Sequence, residues 1–128
     1  MKKDNAAQPP ETGPWKEYFA DGTVAIEGQY ADGKKTGTWK YYYLRNGQVK
    51  ATGKFVDDEF SGPWQWYREN GELMQTGEFD RNVKTGEWKR YHPNGQLWDV
   101  GSYANGKKTG EWKVYDQDGT LKSIKKHK

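Results

Sequence analysis

Gly86-Glu87-Trp88-Lys89-Arg90-Tyr91-His92-Pro93-Asn94-Gly95-Gln96-Leu97-Trp98-Asp99-Val100-Gly101-Ser102-Tyr103 is one of five versions of a single pattern in this 128-residue chain. The pattern is Gly-x-Trp-x-x-Tyr, a turn closed by Gly, an aliphatic residue, Gly-x-Tyr/Phe and a polar loop. Its tryptophans are Trp15, Trp39, Trp64, Trp88 and Trp112, each preceded two places earlier by Gly13, Gly37, Gly62, Gly86 or Gly110. The spacing is 24 residues, with a single step of 25 between Trp39 and Trp64. A fixed period of this length marks stacked supersecondary units.

Within each unit, Asp21-Gly22, Asn46-Gly47, Asn70-Gly71, Asn94-Gly95 and Asp118-Gly119 are dipeptides that suit turns with positive φ. The flanks are rich in Trp, Tyr, Phe, Val and Thr, which fit a pleated sheet. No window sustains a helical period. The expected fold is all-β: an elongated array of about five antiparallel β-hairpin repeats forming a meander sheet. Residues 1–12 read as a flexible leader, and the repeats as 13–36, 37–61, 62–85, 86–109 and 110–128, the last lacking the second half of the pattern.

A two-residue turn at Asn94-Gly95 would set Trp88 opposite Gly101 and Gly86 opposite Tyr103. The same rule pairs Trp15 with Gly28 and Trp64 with Gly77, so each indole is expected to lie in the trough left by the glycine facing it. The second repeat carries one extra residue among Tyr41 to Arg45, and a β-bulge there would restore Trp39 opposite Gly53. Pro93 speaks against a two-residue turn, since it has no N–H to donate. Pro93-Asn94-Gly95 also suits a longer loop.

Composition narrows the function. Hydrophobic residues make up 32% of the chain and aromatic ones 16%, so half of the apolar content is ring and little aliphatic bulk remains for a deep core. Lysine and arginine number 21 against 18 acidic residues, interleaved along the chain, which is a solvated surface and not a phosphate-binding stripe. Nucleic acid is therefore not the expected partner. The locally basic stretch Lys122, Lys125, Lys126 and Lys128 reads as a frayed end. Cysteine is absent, so disulfides, thiolate chemistry and Cys-based metal sites are excluded.

The only two histidines, His92 and His127, sit in a turn and the tail, and no nucleophile stands beside a base. Catalytic residues, metal ligands and cofactors are thus expected to be none. No apolar run reaches membrane-span length, and Met1-Lys2-Lys3 opens no secretory signal. A cytoplasmic location is the default expectation, with export the alternative had a signal been removed.

The motifs Gly86-Glu87-Trp88-Lys89-Arg90-Tyr91, Asn94-Gly95-Gln96-Leu97 and Gly101-Ser102-Tyr103-Ala104-Asn105-Gly106-Lys107-Lys108-Thr109-Gly110 resemble the bacterial MORN-repeat variant, the MORN_2-like group that includes YwqK-type antitoxins. The resemblance runs over about residues 13–121. It implies an elongated hairpin array without catalysis, used for protein–protein contact and, in some members, as an antitoxin or immunity protein that covers a toxin. Related eukaryotic repeats imply membrane lipid contact or scaffolding. Asp57-Asp58-Glu59-Phe60 and Arg81-Asn82-Val83 depart from the family pattern.

Trp15, Trp39, Trp64, Trp88 and Trp112, with Gly28, Gly53, Gly77 and Gly101, are structural repeat positions. Aromatics outside the pattern carry more functional information. Phe60 replaces the lysine found as Lys35 and Lys108; Trp66 stands where Glu17, Arg90 and Val114 stand; Trp98 stands where Ala25, Met74 and Lys122 stand; Tyr43 lies in the extra-residue segment. These four are candidates for a partner surface, since Trp and Tyr are favoured at interface hot spots. The alternative is that they thicken a sparse core. A cell-surface or cell-wall reading also stands, because Gly37 to Tyr43 is similar to repeats whose rings cage choline or stack on glycan. Open sheet edges would also give the array a route to a homodimer.

Overall fold

The computed structural model describes residues 8–128. The leader expected over 1–12 lies outside the described residues in its first seven positions. Ten strands follow: β1 (Gly13–Tyr18), β2 (Val24–Ala31), β3 (Lys34–Tyr42), β4 (Val49–Val56), β5 (Glu59–Tyr67), β6 (Leu73–Asp80), β7 (Val83–Tyr91), β8 (Leu97–Ala104), β9 (Lys107–Tyr115) and β10 (Leu121–His127). They form one ten-stranded antiparallel sheet in sequence order, with β1 and β10 as its edges. The all-β meander is as the turn signals and ring-rich flanks imply.

Within each hairpin the observed partners are Trp15↔Gly28, Trp39↔Gly53, Trp64↔Gly77 and Trp88↔Gly101. The fourth turn is the longer loop and not the two-residue turn, yet the strand pairing expected of the latter is found. The His92 N–H donates to the Gln96 carbonyl at 2.8 Å and the Gly95 N–H to the His92 carbonyl at 2.8 Å, so Pro93 lies inside a three-residue loop and owes no ladder bond. A register shift at Arg90/Tyr91 then restores the expected pairing along the strands. The same shift occurs beside every hairpin turn. The second repeat therefore absorbs its extra residue in the loop, where the Gly47 N–H reaches back to the Tyr43 carbonyl, and not in a bulge of its own.

The trough arrangement requires a correction. Gly28, Gly53, Gly77 and Gly101 do make room for indoles, but for those of the following repeat. A Cβ on Gly28 would stand 2.0 Å from the Trp39 ring, on Gly53 2.1 Å from Trp64, on Gly77 2.3 Å from Trp88, and on Gly101 2.0 Å from Trp112. Bulges between hairpins explain the difference. Gly53 pairs with Trp64 but Lys54 pairs with Ser61, which leaves Gly62-Pro63 looped out of the β4–β5 ladder. Gly62 takes φ +71, as Gly37, Gly86 and Gly110 take +69, a conformation suited to glycine. The kink swings the next ring across the glycine behind it, so the contact locks repeats to one another.

Exposure follows that rule. Trp39 and Trp64 are 1% exposed, Trp88 6% and Trp112 8%. Trp15, with no glycine-bearing strand before it among the described residues, is only half-buried, and its indole N–H bonds to Glu17. The other four indoles donate to backbone carbonyls of Thr36, Lys54, Thr85 and Ser102 at 3.0–3.1 Å.

The basic tail also needs correcting. It is ordered as β10, with Lys125 opposite Trp112 and His127 opposite Gly110. His127 thereby takes the place of the ring held elsewhere by Tyr30, Phe79 or Tyr103, and its edge meets Trp112 at 6.4 Å.

Candidate functional site

One face of the sheet carries a continuous series of rings meeting edge to face. Tyr30 and Phe55 flank Trp39 at 5.5 and 5.8 Å, Phe55 reaches Trp64 at 5.3 Å, Phe79 and Tyr103 flank Trp88 at 5.2 and 5.6 Å, and Tyr103 reaches Trp112 at 5.2 Å. Such geometry sets the positive ring edge against the negative ring face, adding ~0.5–1.5 kcal/mol per pair beyond area burial. Lysines lie across these rings. Lys35 Nζ is 5.1 Å from Trp39 and 5.0 Å from Phe55; Lys84 Nζ is 4.9 Å from Trp88 and 5.1 Å from Tyr103; Lys108 Nζ is 4.7 Å from Trp112.

The row beside the tryptophans changes character along the sheet. Tyr41, Ala51 and Trp66 fill it in the second and third repeats; Gln75, still in the third, and Arg90 and Asp99 of the fourth continue it. Asp99, 9% exposed, accepts from Arg90 Nη2 at 2.7 Å and Nε at 3.1 Å. The hydrogen bond to Asp99 raises the Arg90 pKa against the opposing effect of burial. The guanidinium also lies 4.3 Å from the centre of the Trp98 ring.

A cleft of about 200 Å³ opens here, lined among others by Gln75, Lys84, Arg90, Asp99, Tyr103 and Lys108, with Trp88 and Trp112 beneath. Asp99 is committed to Arg90, and Lys84 and Lys108 have no carboxylate partner among the described residues. The cleft thus presents net positive charge over an aromatic floor.

The four off-pattern aromatics do not form one patch. Phe60 stands 4.8 Å from Phe55, 4.9 Å from Trp64 and 4.9 Å from Phe79, where it closes the ring series over the third repeat. Trp66 bridges Trp64 and Trp88 at 6.1 and 5.7 Å. Both are half-buried against the core. Tyr43 lies at the turn edge, its hydroxyl donating to the Tyr67 carbonyl at 2.7 Å. Trp98 stacks on His92 at 4.8 Å and on Arg90, which lines the cleft. Sequence reasoning did not single out Lys84, Lys108, Arg90 and Asp99. Lysine at 35, 84 and 108 recurs with the period, but its seat over a ring depends on the bulges.

The departures at Asp57-Asp58 and Arg81-Asn82 have structural causes. Each pair forms a tight turn with φ of +50 and +70 or +51 and +69, where the pattern has Asp32-Gly33 and Asn105-Gly106. Asp58 accepts the Lys35 N–H through its carboxylate at 2.7 Å while its own N–H donates to the Lys35 carbonyl. Asn82 does the same with Phe60. Glycine can make only the backbone half of that clasp, and Asp and Asn tolerate the left-handed region better than other side chains.

No curated protein matches the sequence. Among solved structures, the crystal structure of a GtfA/B complex bound to UDP and GlcNAc aligns over 98% of this chain and 26% of that one, at 12% identity and a TM-score of 0.32. The family described as the MORN repeat variant matches residues 11–32, 60–81, 84–107 and 108–128, together more than half the sequence. With the hairpin array and its periodic Trp–Gly contacts in place, the chain belongs to the MORN repeat variant family.

Proposed function

We propose that the chain is a non-enzymatic protein-binding module whose cleft on the fourth and fifth repeats receives an acidic segment of a partner, in the specific role of an antitoxin or immunity protein. MORN repeats are generally associated with binding to proteins or membranes, which sets the broad class. The observation that carries the protein-binding reading is the pair of ammonium groups of Lys84 and Lys108, held over Trp88, Tyr103 and Trp112 without a carboxylate partner among the described residues. Preorganised charge on a rigid sheet costs little side-chain entropy on binding. An acidic strand laid across the cleft would meet both ammoniums and cover the ring edges between them.

A choline cage needs open ring faces. Trp39, Trp64, Trp88 and Trp112 have theirs covered by glycine and neighbouring rings or by lysine, so the ligand-cage reading gains no support from the geometry.

The test compares the chain with a Lys84→Glu/Lys108→Glu variant in quantitative affinity capture from the native cytosol, with the neighbouring gene's product assayed directly. A stoichiometric protein recovered by the parent and lost by the variant is the expected result. Equal recovery by both, or none by either, refutes the cleft as the binding surface. A neighbouring product that neither binds nor is neutralised refutes the antitoxin role.

A further inference from the structure

The β9–β10 hairpin departs from the others at the positions through which one repeat accepts the next. The first is the glycine beneath the following indole. Gly28, Gly53, Gly77 and Gly101 hold it, and in all four a Cβ would fall 2.0–2.3 Å from the incoming ring. In β10 the corresponding residue, opposite Trp112, is Lys125. A side chain there occupies the space that every other repeat leaves for an indole.

The second is at the turn edge. Tyr43 Oη donates to the Tyr67 carbonyl at 2.7 Å, Arg68 Nη2 to the Tyr91 carbonyl at 2.7 Å, and His92 Nε2 to the Tyr115 carbonyl at 2.8 Å. Each of these residues follows its repeat's Tyr and clasps the backbone of the next repeat. Phe19 holds the position in the first repeat without a bond. In the last, the residue after Tyr115 is Asp116, an acceptor with nothing to donate. Three places after Tyr43 and two after His92, Asn46 and Asn94 donate to the Glu69 and Gln117 carbonyls, while the first and last repeats have Asp21 and Asp118 there.

We infer that the β9–β10 hairpin is a stop unit, built to reject a further Trp-bearing hairpin, and that the partner it excludes is the β1–β2 hairpin of a second copy of this chain. The need for one is physical. Trp15 is a half-buried indole with no glycine strand behind it among the described residues, and an open sheet of near-identical repeats would otherwise extend head to tail. A heterologous contact of that kind does not close and gives fibres. Lysines on an edge strand serve the same end by charge, and β10 carries Lys122, Lys125 and Lys126. Any association of this chain through its edges therefore leaves out the β10-to-β1 pairing.

The experiment is sedimentation across a wide concentration range, with three full-length proteins. The parent stays at the mass of one chain. Asp116→His/Lys125→Gly, which restores both acceptor features, self-associates with concentration, its weight-average mass rising to at least twice that of one chain. Trp15→Ala added to that variant returns it to a single chain. A double variant that stays monomeric at the highest concentration overturns the inference, as does a parent that associates equally. Association that survives loss of Trp15 overturns it too.

Discussion

Gly53→Ala is the substitution that separates the two ways a tryptophan could use a glycine. The Gly53 φ is not positive, so alanine suits the backbone, and reduced freedom of the unfolded chain would by itself stabilise by about 0.4–1 kcal/mol. Against that, the added Cβ would stand 2.1 Å from the Trp64 ring, where carbon atoms at contact need about 3.5–4.0 Å. The ring cannot simply retreat. It is 1% exposed and held by Phe55 at 5.3 Å, Phe60 at 4.9 Å and Trp66 at 6.1 Å. Overpacked cores lose about 1–3 kcal/mol, and a site this confined belongs near the top, so we expect a net loss of about 2–3 kcal/mol. At roughly 4 °C per kcal/mol the thermal midpoint falls by about 8–12 °C. Urea unfolding followed by far-ultraviolet circular dichroism reads this without relying on indole emission. The decisive comparison is a double-mutant cycle: Gly53→Ala should couple to Trp64→Leu by more than about 1 kcal/mol and to Trp39→Leu by much less. A neutral or stabilising Gly53→Ala, or stronger coupling to Trp39, would refute the interlock between repeats.

Further outcomes follow from other contacts. Tyr42 hydrogen-bonds Glu27, and burial, that bond and the Glu27 charge push its pKa from 10.0 up to about 12. The neutral phenol is thus favoured in the folded chain. Its contribution is complete below pH 10.0 and is lost as pH rises through about 12, so Tyr42→Phe should flatten the alkaline fall in stability, checked by denaturation at stepped pH. Tyr43→Phe removes the bond to the Tyr67 carbonyl and should cost about 0.5–1.5 kcal/mol in urea, with no change in strand content. Phe60→Lys restores the repeat's own lysine. It should fold, since Lys35 and Lys84 seat over equivalent rings, yet lose about 1–3 kcal/mol as three ring contacts go.

The period, the hairpins and the pairing of Trp88 with Gly101 are legible from residue order alone, because a repeated turn dipeptide and a strand alternation are local signals. The ring actually lying on Gly101 is not legible that way. It depends on Gly110-Glu111 leaving the ladder between hairpins, and a glycine two places before a tryptophan reads equally well as a simple cross-strand partner, as Gly86 is for Tyr103. Lys84 and Lys108 escaped notice for a related reason: a loop lysine is ordinarily solvated, and only the folded sheet lays it across an indole. Phe60 and Trp66 drew attention as exceptions, and the structure sets them in the ring series between Phe55 and Trp88.

An array held by contacts between successive repeats separates what keeps it folded from what it can present. Each Trp on the preceding glycine supports only its neighbour, so stability accumulates repeat by repeat, and most positions in the row beside the tryptophans are free to vary. In the second and third repeats that freedom is used for Tyr41, Ala51 and Trp66, which deepen the core where the indoles are least exposed. From Gln75 of the third repeat into the fourth it is used for polar side chains, Arg90 and Asp99 of the fourth being joined by hydrogen bonds at 2.7 and 3.1 Å. A charged pair placed where its neighbours are apolar tends to cost stability, or to return little, compared with well-packed apolar residues. Its place beside two ring-seated lysines is the reason the proposed binding surface is put at that end of the sheet.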